Sequence, residues 1–215
     1  MNPLILAVVL IGGFLVAKGV SGGTSSASSG GAGGDSNSNV TRSNPWNLPD
    51  IDSANQGGSF ATTYDESFEK AAGATGAPFA LLKAHAIRES ALSPTAFHED
   101  NSSESSYGLM QVEWSMDTSN SLYNRLQKYG SQYSGDMLTP NTLEDPDTSA
   151  FLGASIIADN LNWLTPGGKN GLQGLRDTIN AYNTGQSEAK APAPNNYVND
   201  VLQNYATLIG ESVTC

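Results

Sequence analysis

The chain is organised around residues 89–113, which read ESALSPTAFHEDNSSESSYGLMQVE. Glu89 falls in the last turn of residues 78–91, where apolar side chains recur at steps of three and four, as they do on one face of a helix. After a polar insert, the Gly-Leu-Met-Gln turn at residues 108–111 brings the chain back. This arrangement can aim a single carboxylic acid into a cleft.

The patterns from residue 62 onward are helical and show no strand alternation, so the sequence predicts an all-α domain. Asp145 and Pro146 have the residue types of a helix cap and a first helical position. The run that follows, residues 149–164, is apolar on most faces, which predicts the central buried helix. Further helices are predicted at residues 64–72, from 117 or 118 to 129, at 172–182 and at 197–208.

The amino terminus has the composition of a membrane anchor. Residues 3–17 are uncharged and mostly aliphatic, and the apolar run reaches residue 20 if Lys18 extends its charge to the membrane surface. We expect a single-pass transmembrane helix at residues 1–20 that contacts lipid through residues 3–20. A cleaved signal peptide is the alternative, although no Lys or Arg precedes the apolar run. Lys18 and Arg42 follow the run, which weakly favours a cytoplasmic carboxyl-terminal side.

The segment between the predicted anchor and the predicted domain is rich in Gly and Ser, which predicts a flexible, disordered linker at residues 21–61. The domain is then expected at residues 62–215. Trp46, Leu48 and Ile51 interrupt the polar composition. They either dock on the domain or a lipid surface, or stay solvated as part of the linker.

Charge and cysteine content exclude several classes of function. The chain has 21 Asp plus Glu against 10 Lys plus Arg, a net charge of -11, so we expect no nucleic-acid partner. The only cysteine is Cys215, which excludes an internal disulfide and a cysteine-based metal site. The acids at 144, 145 and 147 do not form a metal-binding pattern with either histidine. No metal and no cofactor are predicted.

Three motifs in order carry a resemblance to a known family. Glu89-Ser90, the turn at residues 108–111 and Ala181-Tyr182-Asn183 together resemble the catalytic domain of soluble-type lytic transglycosylases, glycoside hydrolase family 23. The likeness covers residues 77–205 and implies a lysozyme-like helical fold that acts on peptidoglycan glycan strands. The site residues that it implies are Glu89 as the catalytic acid and Met110, Gln111, Tyr182, Asn183 and Tyr197 as substrate-binding residues.

The insert at residues 93–106 departs from this pattern, because it is longer than in typical soluble transglycosylases and resembles goose-type lysozymes. Glu113 follows Val112 where those lysozymes have an aspartate, so Glu113 is a possible second acid. The acids at 99, 100 and 104 are weaker candidates. The serine that supports the acid in some family members stays open among positions 102, 103, 105 and 106.

The resemblance implies that Glu89 protonates the leaving oxygen, that the muramic acid C6 hydroxyl attacks its own anomeric carbon, and that the product is a 1,6-anhydro sugar. One alternative is a goose-type lysozyme-like hydrolase that uses Glu113 or a neighbouring acid. Another is a non-catalytic glycan-binding or structural membrane protein. His85, one turn before Glu89, is expected to be structural, and His98 to be solvated.

The expected location is a membrane, either that of a bacteriophage virion or the bacterial inner membrane with the catalytic domain acting in the periplasm. The corresponding roles are wall penetration at phage entry and remodelling of the cell envelope. An anchor and a flexible linker would hold the enzyme close to its substrate in either setting.

Overall fold

A computed structural model describes residues 45–46, 48–51, 53–99, 104–116, 118–128, 138–166, 171–190 and 195–211. The helices in these ranges are α1 (Asp65–Thr75), α2 (Phe79–Ser90), α3 (Ser119–Lys128), α4 (Pro140–Leu143), α5 (Pro146–Leu164), α6 (Gly171–Thr184) and α7 (Asn196–Leu208). The strands are β1 (Phe97–Glu99), β2 (Ser105–Tyr107) and β3 (Val112–Trp114).

Helix α5 is the central element, as its apolar composition predicts. It contacts α1, α2, α3, α4, α6 and β3. Asp145 begins it in the expected way, because its side chain accepts the backbone N–H of Thr148 at 2.9 Å and Pro146 takes the first helical position. Leu152, Ile157 and Leu161 are fully buried along its length, so the other elements pack around this helix.

Helices α2 and α7 pack against each other and place residues that lie far apart in sequence side by side. Helix α2 begins at Phe79, with Pro78 as its N-cap, one position later than the sequence pattern predicts. Glu89 lies in its last turn, as expected, and Ala91 ends the helix in the left-handed conformation with φ 50°. Both termini of the helix are thus fixed by identifiable local structure.

The expectation of an all-helical domain is wrong in one region, where β1, β2 and β3 form an antiparallel sheet in that order. Each strand has three residues, which is too short to show an alternating pattern in the sequence. The sheet pairs Ser106 with Glu113 and Phe97 with Tyr107. The described parts of the polar insert therefore belong to a small sheet.

Part of the stretch assigned to the linker packs on the domain. Trp46 is only 4% exposed, and Leu48 and Ile51 are half-buried against the same core. The Asp50 carboxylate accepts the backbone N–H groups of Phe79 and Ala80 at 3.1 and 3.0 Å, which satisfies two free donors at the start of α2. Docking is thus the outcome for these apolar residues, and the boundary at residue 62 stays a prediction.

The same segment is held by a buried polar cluster. The ammonium group of Lys83 is fully buried and donates to the Asp65 carboxylate at 2.6 Å and to the Gln56 side-chain oxygen at 2.5 Å. The Gln56 amide also donates to Asp65 at 2.7 Å. A buried charge requires such partners, so residue 56 contributes to the interior of the domain.

Several predictions fall outside the described residues. They are the transmembrane helix at 1–20, the linker up to residue 44, Asp100, the serines at 102 and 103, and Cys215. Within the described ranges, no helix combines the length and the apolar composition needed to cross a membrane.

Candidate active site

An open cleft of about 1190 Å³ lies between the sheet and the ends of α2, α6 and α7. Glu89 lines it together with the predicted residues Gln111, Glu113, Tyr182, Asn183 and Tyr197. Further lining residues that the sequence did not single out include Phe97, Ser106, Arg125, Asn160 and Gln186. The structure thus brings together all but one of the predicted site residues.

Glu89 is half-buried at the carboxyl end of α2. Burial raises the pKa of its carboxyl group above the ordinary value, while a hydrogen bond from Tyr197 and the charge of Arg88 act in the opposite direction. The net effect keeps the acid protonated at higher pH than a solvated glutamate. This is the property that a general acid for glycosidic bond cleavage requires.

The hydroxyl of Tyr197, from the start of α7, donates a hydrogen bond to Oε1 of Glu89. The same hydroxyl lies 3.2 Å from Nδ1 of His85, a fully buried residue one turn before Glu89 on α2. Burial lowers the pKa of His85 to about 3, so the ring is neutral. The sequence predicts a structural histidine at position 85, and its contact with Tyr197 depends on the packing of α2 against α7.

Tyr182 lies beside this group on α6. Its ring centroid is 4.8 Å from that of His85, and its hydroxyl donates to the Met110 carbonyl at 2.7 Å. The residue is half-buried and lines the cleft. It therefore combines a structural contact with a ring that borders the substrate space.

The Gly-Leu-Met-Gln turn is held by close packing. Gly108 has φ 76°, and a Cβ atom added there would overlap the Leu143 carbonyl oxygen and lie 2.8 Å from Oγ of Ser149. Gln111, at φ 46°, donates its side-chain amide to the Ala96 carbonyl at 2.9 Å. This bond orients the Gln111 side chain, which lines the cleft.

Met110 is the exception among the predicted substrate-binding residues. Its side chain is fully buried and packs so closely on Gly153 that a Cβ atom added there would lie 2.5 Å from Cε of Met110. Its backbone N–H donates to Oγ of Ser149 at 3.1 Å. In this structure Met110 supports the turn from behind, and its side chain does not line the cleft.

The remaining acids differ in position. Glu113 is exposed on β3 and lines the cleft, so it stays a candidate second acid. Glu99 and Glu104 are described but do not line the cleft.

Ser106 lines the cleft, yet the hydrogen-bond partner of Glu89 in the described residues is Tyr197 and not a serine. The described residues contain no cluster of three or more His, Cys, Asp or Glu side chains that could hold a metal ion.

Comparison with known proteins gives a family match over the same part of the chain. The family described as "Transglycosylase SLT domain" matches residues 66–201. The chain belongs to this family. Its membership makes the chain a peptidoglycan lytic transglycosylase, an enzyme of the lyase class.

Related sequences agree with the match. The chain is 30% identical to Invasion protein IagB of Salmonella typhimurium over 134 residues, which is 61% of this chain and 70% of the relative. It is 29% identical to Invasion protein IagB of Salmonella typhi over 130 residues, 60% of this chain and 68% of the relative.

Solved structures of larger transglycosylases are also similar. The 70 kDa soluble lytic transglycosylase SLT70 of Escherichia coli has 20% identity and a TM-score of 0.44, with 67% of this chain covered. An inactive mutant of lytic transglycosylase Slt from Pseudomonas aeruginosa has 16% identity and a TM-score of 0.46, with 70% covered. This chain spans 20% and 23% of the lengths of those proteins.

Proposed function

We propose that this transglycosylase cleaves the β-1,4 bond between N-acetylmuramic acid and N-acetylglucosamine and forms 1,6-anhydro-N-acetylmuramic acid. The observation that carries the proposal is the half-buried Glu89 side chain, held by Tyr197 at the edge of the cleft, with its pKa raised by burial. A protonated acid at this position can supply the proton that the leaving oxygen needs.

In this mechanism Glu89 acts twice. It first donates its proton to the glycosidic oxygen as the bond from that oxygen to the anomeric carbon breaks. The C6 hydroxyl oxygen of the same muramic acid then bonds to the anomeric carbon and passes its proton to Glu89. The acid is regenerated, and no water enters the product, so one carboxyl group is sufficient.

A hydrolase is the second candidate, because Glu113 lines the same cleft. An inverting hydrolase uses a second carboxylate about 6.5–9.5 Å from the acid to activate a water molecule. Glu113 is exposed on the sheet, as expected for a surface acid in a chain of net charge -11. The single-acid mechanism therefore remains the proposal.

Mass spectrometry of the muropeptides released by the full-length chain tests the reaction. We expect products that end in 1,6-anhydro-N-acetylmuramic acid from the wild type and none from Glu89→Gln. Reducing-end muramic acid from the wild type would replace the proposal with the hydrolase, and Glu113→Gln would then be expected to abolish release.

The proposed setting is local penetration or remodelling of the wall beside a membrane, in a phage virion or at the bacterial inner membrane. It is supported by the apolar sequence at residues 3–20 and by relatives named as invasion proteins. Recovery of the protein with purified virions would favour phage entry, and recovery with membranes of uninfected cells would favour envelope remodelling. Recovery in neither fraction would contradict membrane anchorage.

A further inference from the structure

His85 is a buried titratable group that the proposed reaction does not use. It is enclosed between α2, α6 and α7, with its ring centroid 4.8 Å from that of Tyr182 and 6.2 Å from that of Tyr197. Its Nδ1 atom lies 3.2 Å from the Tyr197 hydroxyl, while its Nε2 atom is buried and has no hydrogen-bond partner among the described residues. These contacts define which ring nitrogen carries the proton.

The tautomer follows from counting hydrogens. A tyrosine hydroxyl has one hydrogen to donate and can also accept, and Tyr197 donates its hydrogen to Oε1 of Glu89. The contact between Tyr197 and Nδ1 of His85 is then a hydrogen bond only if Nδ1 carries the proton and donates it. The opposite tautomer would also leave an N–H group at Nε2 buried without an acceptor, which is costly.

A proton on Nδ1 of His85 determines which oxygen of the Glu89 carboxyl group carries its proton. The Tyr197 hydroxyl cannot donate to His85, so its hydrogen stays directed at Oε1 of Glu89. A protonated Glu89 must then carry its proton on Oε2, which makes no hydrogen bond within the described part of the chain. This oxygen is therefore the one available to transfer a proton to substrate.

We propose that His85 is a positioning residue that acts through the Tyr197 hydroxyl and confines the transferable proton of Glu89 to Oε2. The inference rests on the proposed function for its catalytic meaning, while the hydrogen-bond arrangement itself stands on the geometry of α2 and α7. The role of His85, one turn before Glu89 on α2, is then to orient the Tyr197 hydroxyl.

The other groups around Glu89 do not supply this direction. Arg88 is directed elsewhere, because it pairs with Asp200 at 3.0 Å and its guanidinium lies 5.4 Å from the centre of the Tyr197 ring. The Tyr182 hydroxyl donates to a backbone carbonyl. The remaining titratable groups that line the cleft are His98, Glu113 and Arg125. Burial keeps His85 neutral, with a pKa of about 3, so the arrangement persists over the working pH range.

The kinetic test uses His85→Leu, which fills the space without a donor, and His85→Asn, whose amide nitrogen is attached to the same carbon as Nδ1 and can donate. We expect His85→Leu to lower kcat about fivefold to tenfold, the size of one neutral hydrogen bond, with little change in KM. The alkaline limb of its pH profile should move up by about half a unit to one unit, because Tyr197 would stabilise the carboxylate less well. We expect His85→Asn to restore both values.

A double-mutant cycle separates positioning from packing. Because His85 acts through the Tyr197 hydroxyl, His85→Leu should cost no further kcat in a Tyr197→Phe background. Additive losses, or an unchanged kcat in folded His85→Leu, would overturn the proposal.

A measurement on the wild-type full-length chain needs neither substrate nor a variant. Nitrogen-15 NMR of the two histidines should show His85 protonated at Nδ1 and bare at Nε2. The opposite tautomer would overturn the proposal. Because this readout does not depend on turnover, it stays decisive if no anhydro product is found and the proposed function fails.

Discussion

Each wall of the cleft carries a glutamate, and the two carboxyl groups lie in different surroundings. Glu89 lies on the helical wall, half-buried and bonded to Tyr197, with its pKa raised by burial. Glu113 lies on the sheet wall, exposed and paired in register with Ser106. The surroundings of a carboxylic acid, and not its presence in the cleft, equip it for proton transfer.

The largest expected effect separates the two acids. Glu89→Gln should lower kcat by about 10³-fold or more, because an amide neither gives up nor takes up a proton near neutral pH. Glu113→Gln is the matched control, and its kcat should stay within about threefold of the wild type. Equal losses in both variants, measured as soluble muropeptide release, would remove the distinction between the walls.

The stability of the helical wall also depends on the buried polar cluster of Lys83, Asp65 and Gln56. Asp65→Asn leaves the Lys83 ammonium buried without its charged partner, so we expect a loss of about 3–5 kcal/mol in the free energy of unfolding. Glu66→Gln, its neighbour on α1, removes only an exposed pair with Lys70 and should change stability by less than about 0.5 kcal/mol. Denaturant titration measures both, and similar values for the two would show that the cluster does not hold the wall.

The sequence predicted the helical wall better than the sheet wall for physical reasons. Helix α5 can be predicted from its cap and its long apolar run, and Glu89 falls at the end of a clear periodic pattern. Strands of three residues are held by pairing across the insert, which leaves no local pattern. The bond between Tyr197 and Glu89 joins residues 108 positions apart, so only the packing of α2 on α7 reveals it.

Two further outcomes have similar causes. Trp46 interrupts a polar stretch, and the sequence left its docking open because the docking of single apolar residues is decided by the surface that they meet. Met110 belongs to a motif associated with substrate, yet the small size of Gly153 lets its side chain enter the interior. Neither outcome can be read from local sequence.

The turn that joins the sheet to the core gives a smaller effect on stability. Gly108→Ala places a Cβ atom against the Leu143 carbonyl at a positive φ, so we expect a loss of at least about 2 kcal/mol. Gly73→Ala is the control, because no atom beyond its chain neighbours and its own helix backbone lies within 4 Å of the added Cβ. Helix α1 should gain about 0.5–1 kcal/mol from that change. A neutral Gly108→Ala would mean that the turn can relax.

The pH dependence of the reaction should follow the protonation of Glu89. The protonated form of Glu89 is the active acid, so kcat should fall about tenfold per unit as pH rises above its raised pKa. The same shift favours the folded state most at pH below the unfolded pKa, and this contribution is lost as pH rises through the folded pKa. Glu89→Gln should lack that loss of stability, which denaturation at several pH values would detect.

The central claim is that the Glu89 side of the cleft completes the reaction without a second acid and without water. The most direct measurement is digestion of peptidoglycan by the full-length chain in water enriched in oxygen-18, followed by mass spectrometry of the muropeptides. We expect anhydro products that carry no heavy oxygen. Incorporation of one heavy oxygen at the muramic acid end would contradict it, since that oxygen enters only when water attacks the anomeric carbon.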